Sequence, residues 1–417
     1  MPRYELVEGT SSKFWEITLQ GTSFTTTYGK IGSAGKSTSK SFSSEADAKK
    51  EHDKLVAEKT KKGYQLVGGE GGEVVHAKAG TAFRLSDLEQ LHGAVYSDED
   101  DEDGKGPTFM GLRRVDYDPA EGIKDPARRA WRLRVEFDDG VEGWIELLNK
   151  FVADPNAGKV KALVVGNWGE ELASSRYDGG DAPVRLRDAL CAASSKLTSL
   201  AALFVNDVVA EECEISWQNF TDPTPLLDAY PQLQHLRVRG DTHTFGAVRH
   251  ERLRSLQLEG SNLSNGILQG LAQADLPALE HLEVWLGPAE DYAERKEMAD
   301  LLPLLSGKLF PALRYLGLRD SNQADEVART VAEAPLLERL EVLDLSLGTL
   351  GDAGAEALLA SPAVARLQRL DLRHHYISPP VLERLEKLQP VKVVEARSDE
   401  DEDEFDGEIH RYVAVGE

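Results

Sequence analysis

The stretch RLEVLDLSLGTLGDAGAEALLA, Arg339 to Ala360, decides how most of this chain folds. Leu340, Leu343 and Leu345 stand at the spacing L-x-x-L-x-L, so Leu343 and Leu345 fall on one side of an extended strand while their neighbours fall on the other. Gly354 to Ala360 then reads as an apolar helical pattern. A single strand plus a single helix has no second layer against which to bury its apolar side. It needs neighbours built the same way.

Those neighbours are present. The spacing recurs at Val160/Leu163/Val165, Leu200/Leu203/Val205, Leu233/Leu236/Val238, Leu253/Leu256/Leu258, Leu279/Leu282/Val284, Leu313/Leu316/Leu318 and Leu367/Leu370/Leu372. From Leu236 onward the central leucines are 20 to 34 residues apart, spacings that fall around the leucine-rich-repeat period. The expected fold class is therefore α/β, with a curved strand-helix solenoid over residues 157–395. Residues 81–156 are expected to cap it, with a strand at Trp131 to Phe137 and a helix at Trp144 to Phe151.

The leucines are core, so any recognition belongs to the side chains between them. One column reads His235, Ser255, His281, Tyr315, Val342, Arg369; the next reads Arg237, Gln257, Glu283, Gly317, Asp344, Asp371; the third reads Arg239, Glu259, Trp285, Arg319, Ser346, Arg373. Alternation aims these at the concave side of the sheet. His281, Trp285, Tyr315, Arg319, Asp344, Arg369, Asp371 and Arg373 are the residues expected to bind a protein partner, since aromatic and arginine side chains dominate interfaces.

The first 67 residues are built on another plan. Trp15, Ile17 and Leu19 alternate along one strand, Phe24 to Tyr28 forms a second and Lys36 to Phe42 a third. Ser44-x-x-Asp47 has the form of a capping box before a charged helix in which Ala48, His52, Leu55 and Val56 recur at helical spacing. YGKIGSAGKSTSKSF, Tyr28 to Phe42, has the Gly-Lys-Ser end of a phosphate-binding loop, but Lys30 stands where its first glycine is required. The next run is β-branched and hydroxyl-rich, where such a loop would open into a helix. The glycines read better as a hairpin connection.

In this order, KFWEITL, turn, FTTTYGKIGSAGKSTSKSF and a Lys/Glu-rich helix closing on KKGY, the segment resembles the WGR domain, a small sheet-plus-helix module. Tyr28-Gly29-Lys30 stands in place of Trp-Gly-Arg. In poly(ADP-ribose) polymerases that carry the module, that Trp and Arg lie against the end of a broken DNA strand, and the resemblance implies the same for Tyr28 and Lys30. Tyrosine keeps a stacking face, whereas lysine lacks the bidentate fork of arginine. Lys36 and Lys40, with no acid between them, extend the expected nucleic-acid surface. The arrangement as a whole resembles bacterial proteins that join a WGR domain to leucine-rich repeats.

Composition bounds the rest. The net charge is −24, with +3 on residues 1 to 67 and −27 on the remainder, so the two parts are suited to different partners. Gly68-Gly69-Glu70-Gly71-Gly72-Glu73 reads as a linker within residues 68–80, and the acidic runs 97–103 and 398–404 as solvated loops. Residues 396–417 form an acidic tail whose Ile409 to Val415 stretch is extended. Neither acidic run completes a calcium loop, since Met110 and Val413 occupy the position that requires Glu.

Cys191 and Cys213 lie among apolar neighbours and read as core thiols; His374-His375-Tyr376 reads as surface imidazoles, and Arg254 breaks the HExxH pattern after His250. No run is long and apolar enough to span a bilayer, so a cytoplasmic location without membrane contact is expected. No cofactor and no metal are expected, and no constellation names a reaction. The expectation is a non-enzymatic adaptor, with a DNA-end-binding accessory of repair or ADP-ribosylation as its alternative and an enzyme sited in residues 83–156 as the third reading.

Overall fold

A computed structural model describes residues 3–8, 11–30, 36–61, 65–66, 108–173, 180–242, 244–288, 295–388, 392–397, 402–405 and 408–415. The expected linker, residues 31–35 of the expected hairpin connection and the acidic run at 97–103 lie outside them. The chain divides into two units, Met1–Glu73 and Val74–Glu417.

The first unit is a five-stranded antiparallel sheet plus one helix. Its strands are β1 (Arg3–Glu8), β2 (Ser11–Gln20), β3 (Ser23–Lys30), β4 (Lys36–Ser41) and β5 (Gln65–Leu66), in the order β4-β3-β2-β1-β5. Alternation on β2 and β3 buries Trp15, Ile17 and Phe24 together, and Leu55 of α1 (Glu45–Lys61) packs against them. Ser44 caps the helix: the Asp47 amide donates to Ser44 Oγ at 3.1 Å, and that hydroxyl, in place of the Ser44 amide of a full capping box, donates to Asp47 Oδ2 at 2.7 Å. Lys36-Ser37 lies at the start of strand β4, where a phosphate-binding loop would need the start of a helix.

The second unit is built on a twelve-stranded sheet in strictly sequential order. It begins with β6 (Thr108–Phe109), β7 (Leu112–Asp116), β8 (Arg129–Leu133), β9 (Ala162–Val165), β10 (Ala202–Val205) and β11 (His235–Arg239). It continues with β12 (Ser255–Glu259), β13 (His281–Gly287), β14 (Tyr315–Ser321), β15 (Val342–Asp344), β16 (Arg369–His375) and β17 (Lys392–Arg397). β6 pairs antiparallel with β7, and every later neighbour pair is parallel. The sheet does not close into a barrel.

Register follows the leucines. Leu236, Leu256, Leu282, Leu316, Leu343 and Leu370 are cross-strand partners in turn, and each is at most 1% exposed. Each such burial contributes about 1.5–3 kcal/mol. They share one core with helices α2 (Gly140–Ala153), α3 (Ala182–Ala192), α4 (Thr224–Ala229), α5 (Asn265–Leu271), α6 (Met298–Leu305), α7 (Ala324–Ala332), α8 (Asp352–Ala360) and α9 (Pro379–Glu386). Helix α7 shows why: Ala324, Val327, Ala328 and Val331, at i, i+3, i+4 and i+7, are all buried.

Three expectations change. Residues 108–156 include the sheet strands β7 and β8, so the stack begins well before residue 157. The strand expected at 131–137 ends at Leu133; Phe137–Asp139 is a 3₁₀ turn leading to Gly140, whose φ of +64° suits glycine. The acidic run at 398–404 is in part structured: β18 (Glu402–Phe405) pairs antiparallel with β19 (Glu408–Arg411). The Asp406-Gly407 dipeptide between them in sequence is a hairpin signal.

Strand exits share a further feature. Two residues past the last apolar position of the motif, Gly240, Asp320, Leu347 and His374 have φ of +104°, +56°, +68° and +63°. At the three residues other than glycine this left-handed turn costs about 1–2 kcal/mol each, so the surrounding contacts must hold it.

Candidate binding surfaces

On the small unit, Tyr28 lies directly opposite Trp15 on one side and Lys36 on the other, which places all three on one face of the sheet. Farther along that face Ile17 and Phe24 are covered; at Tyr28 the cover ends and 46% of the residue reaches solvent. Lys36 is exposed beside it. Lys40 is exposed too, but it pairs with Glu51 of α1 at 3.3 Å and lies 5.0 Å from the Phe42 ring centroid. The expectation of a lysine set apart from acids is thus corrected for Lys40, because the helix brings a carboxylate across. Lys30 stands opposite Lys13 in the register; its side chain lies outside the described residues.

The large sheet brings the three columns together as read. His235, Ser255, His281, Tyr315, Val342 and Arg369 are successive partners, Glu283 stands beside Gly317 and Gly317 beside Asp344, and Trp285 beside Arg319. The face they form is nevertheless not open. His281, Trp285, Tyr315, Asp344 and Asp371 are all buried, and the Arg319 side chain is 11% exposed. Arg369 and Arg373, at 22% and 43%, reach solvent.

Charge pairing allows this burial. Glu283 Oε1 accepts from Trp285 Nε1 at 2.8 Å and from Arg319 Nη1 at 2.5 Å. Arg319 Nε donates to Ser346 Oγ at 2.9 Å and stands 3.5 Å from Asp344, while the Tyr315 hydroxyl donates to Asp344 at 2.6 Å. The guanidinium of Arg319 lies over Trp285, and His281 stacks on Tyr315 with centroids 4.2 Å apart. Burial works against the Arg319 charge, but Glu283 and Asp344 outweigh it and hold the pKa well above the ordinary range. Burial and the same carboxylates push the Tyr315 hydroxyl up. Arg319 is thus held between two carboxylates, Glu283 and Asp344, to which Trp285 and Tyr315 donate hydrogen bonds.

The face changes character along the sheet. At β9 and β10 it is apolar, with Ala162, Val164, Ala202 and Phe204 packed with Ala130, Phe109 and Met110, while Arg132 of β8, beside Val164, pairs with Asp116. From β11 onward it is charged: Arg237 and Arg239 both reach Glu259, at 2.7 and 3.0 Å, and Arg237 stacks over Phe204 at 4.5 Å. Phe204, Glu259 and Glu283 lie on this face and were not among the residues expected to bind a partner; Glu259 and Glu283 stand in the columns read from the sequence, and Phe204 lies one strand before them, beside Arg237.

Two carboxyls here respond to pH in opposite directions. Burial raises Asp371, but its bonds to Arg373 and Arg369 outweigh that and leave it below the usual range. Asp320 is buried, with Oδ1 accepting from the Val415 amide at 3.2 Å and Oδ2 without a partner among the described residues. Burial therefore holds Asp320 well above the usual range. A raised acid binds its proton more tightly folded than unfolded, so it costs stability as pH rises from the unfolded pKa through the folded one. Asp320→Asn keeps the acceptor and tolerates positive φ; it should stabilise the protein at neutral pH by about 1 kcal/mol and lose that advantage toward pH 3. Urea unfolding at both pH values checks it.

The remaining reactive groups are structural. Burial pushes the Cys191 and Cys213 thiols up to about 11, so both are protonated at neutral pH. His250 is buried, bonded to Tyr230 O at 3.1 Å and accepting from the Leu253 amide at 2.9 Å. His375 is fully buried, contrary to the expectation of surface imidazoles, and accepts from the Ile377 amide at 3.1 Å. Among the described residues no helix is long and apolar enough to cross a membrane.

Residues 3–70 match the WGR domain family. Where the resemblance places the first residue of the signature stands the exposed Tyr28, paired across the sheet with Lys36.

Similar proteins include one matched in part and one matched throughout. One is the Escherichia coli (strain K12) "Uncharacterized protein YfeS", 51% identical over 55 residues, which are 13% of this chain and 22% of that protein. The chain thus matches about a fifth of that relative's length. The other is a Bacteroides fragilis protein of known crystal structure, 27% identical, with 99% of both chains covered and a TM-score of 0.61. That likeness extends through both units.

Proposed function

We propose that the chain is a non-enzymatic adaptor in which the WGR domain docks a nucleic-acid end and a leucine-rich-repeat solenoid, the second unit, presents a surface to a protein. The observation that carries the reading is Tyr28: an aromatic ring half open to solvent, beside the cationic Lys36, within the segment matched by the WGR family. A flat ring takes a terminal base or sugar, and the ammonium takes its phosphate. A cytoplasmic setting belongs to this proposal.

On the repeat unit the reading shifts to its accessible rim. Trp285 and Tyr315 stabilise the face from within, so contact with a protein falls to Arg369 and Arg373, whose charge Asp371 only partly offsets. A second reading, a DNA-end-binding accessory of repair or ADP-ribosylation, is favoured by the same WGR match and makes the docking primary.

Fluorescence anisotropy with a 5′-phosphorylated duplex tests both, using the full chain at low and moderate salt. Affinity should fall as salt rises. Tyr28→Ala should weaken binding about tenfold by removing a stacking platform, and Lys36→Ala should lower the salt slope by about one phosphate contact. Absence of binding at low salt removes the nucleic-acid role; binding that ignores both substitutions moves it to another surface.

A further inference from the structure

Strands β14, β15 and β16 leave the sheet through left-handed turns at Asp320, Leu347 and His374, and the same segment of chain touches all three exits. At the exit of β16, the Tyr376 hydroxyl donates to Tyr412 O at 2.8 Å and accepts from the Tyr412 amide at 3.3 Å. Next to it, the Ala414 amide donates to Leu347 O at 2.8 Å. At the exit of β14, the Val415 amide donates to Asp320 Oδ1 at 3.2 Å. Arg411 lies over the Tyr376 ring, 5.0 Å from its centroid.

From Tyr412 to Val415 the chain crosses two strand spacings of ~4.8 Å each, bending at Ala414 and Val415. The contacts are almost all through backbone atoms. Arg411, Tyr412 and Ala414 are exposed, and Val413 and Val415 are half-buried, so little apolar area holds the segment in place.

We infer that the exits of β14 to β16 form a shelf for a peptide, and that residues 411–415 are its displaceable occupant in cis. Recognition is by backbone amides to Leu347 O and the Asp320 carboxyl, with a carbonyl accepting from Tyr376. The competing ligand is a peptide whose free backbone amides fall two and three residues beyond the carbonyl that accepts from Tyr376. This shelf is independent of the Tyr28 surface and of the rim formed by Arg369 and Arg373.

Tethering gives the cis segment an effective concentration on the order of millimolar, so a free peptide competes only when the tethered copy is weakened. The double variant Ala414→Pro/Val415→Pro removes both amide donors and leaves the shelf intact. In that full-length variant, tryptic cleavage after Arg411 should accelerate, and a labelled peptide IHRYVAVGE (Ile409 to Glu417) should bind about tenfold or more tighter than it binds the parent. The same peptide with prolines at the two positions should not bind. Tyr376→Phe gives a second route: loss of the hydroxyl should raise cleavage at Arg411 about fivefold with an unchanged melting curve. The inference is overturned if neither variant changes that cleavage, or if the loosened double variant, folded by its melting curve, ignores the peptide at millimolar concentration.

Discussion

Replacing Glu283 with alanine is expected to destabilise the repeat unit by about 3–5 kcal/mol, the range for breaking a buried, hydrogen-bonded ion pair from one side. Glu283 is fully buried and serves Trp285 and Arg319 through one oxygen. Its removal leaves the Trp285 N–H without that acceptor and leaves Arg319 with Asp344 as its remaining carboxylate. Glu283→Leu combined with Arg319→Met and Asp344→Asn removes all three charges and fills the space, so it should recover most of the loss. Urea unfolding followed by Trp fluorescence measures both variants. A triple variant as unstable as Glu283→Ala would mean that shape, and not charge, holds this face together.

The second large effect is at Gly287, the last residue of β13. Its φ is +73°, and a Cβ built there would stand 2.0 Å from Ser261 O, a backbone atom that cannot step aside. Gly287→Ala should cost about 2–5 kcal/mol, the sum of left-handed strain and overpacking. Gly180→Ala is the matched control, because among the described residues nothing lies within 4 Å of its added Cβ. In a thermal melt the control should leave the midpoint unchanged while Gly287→Ala lowers it by several degrees. Equal midpoints would show that the β12 and β13 exits can separate without loss.

The Glu283 cluster also shows where sequence reading stops. Period-two alternation put His281, Glu283 and Trp285 on one side of a strand and the leucines on the other, and parallel register then aligned Tyr315, Asp344 and Arg319 with them. That much needs only a repeat length and a pleat. Exposure is a different quantity. Isolated Arg, Glu and Asp belong in water, yet side chains one strand apart, with opposite charge at diagonal positions, satisfy each other and become core. The same limit applies to Lys40, whose partner Glu51 arrives from a helix eleven residues later. It also applies to residues 108–133, where short strands with few leucines carry no repeat signature although they extend the same sheet.

Because every strand of the large sheet lies beside its predecessor and successor in the chain, assembly can advance from one unit to the next without distant parts having to meet. The bond from Val415 to Asp320 departs from that economy, since it closes a loop of 95 residues. Three finished strand exits must exist before it has anything to grip. It therefore forms last and opens first, so release at this end leaves the stacked interior undisturbed.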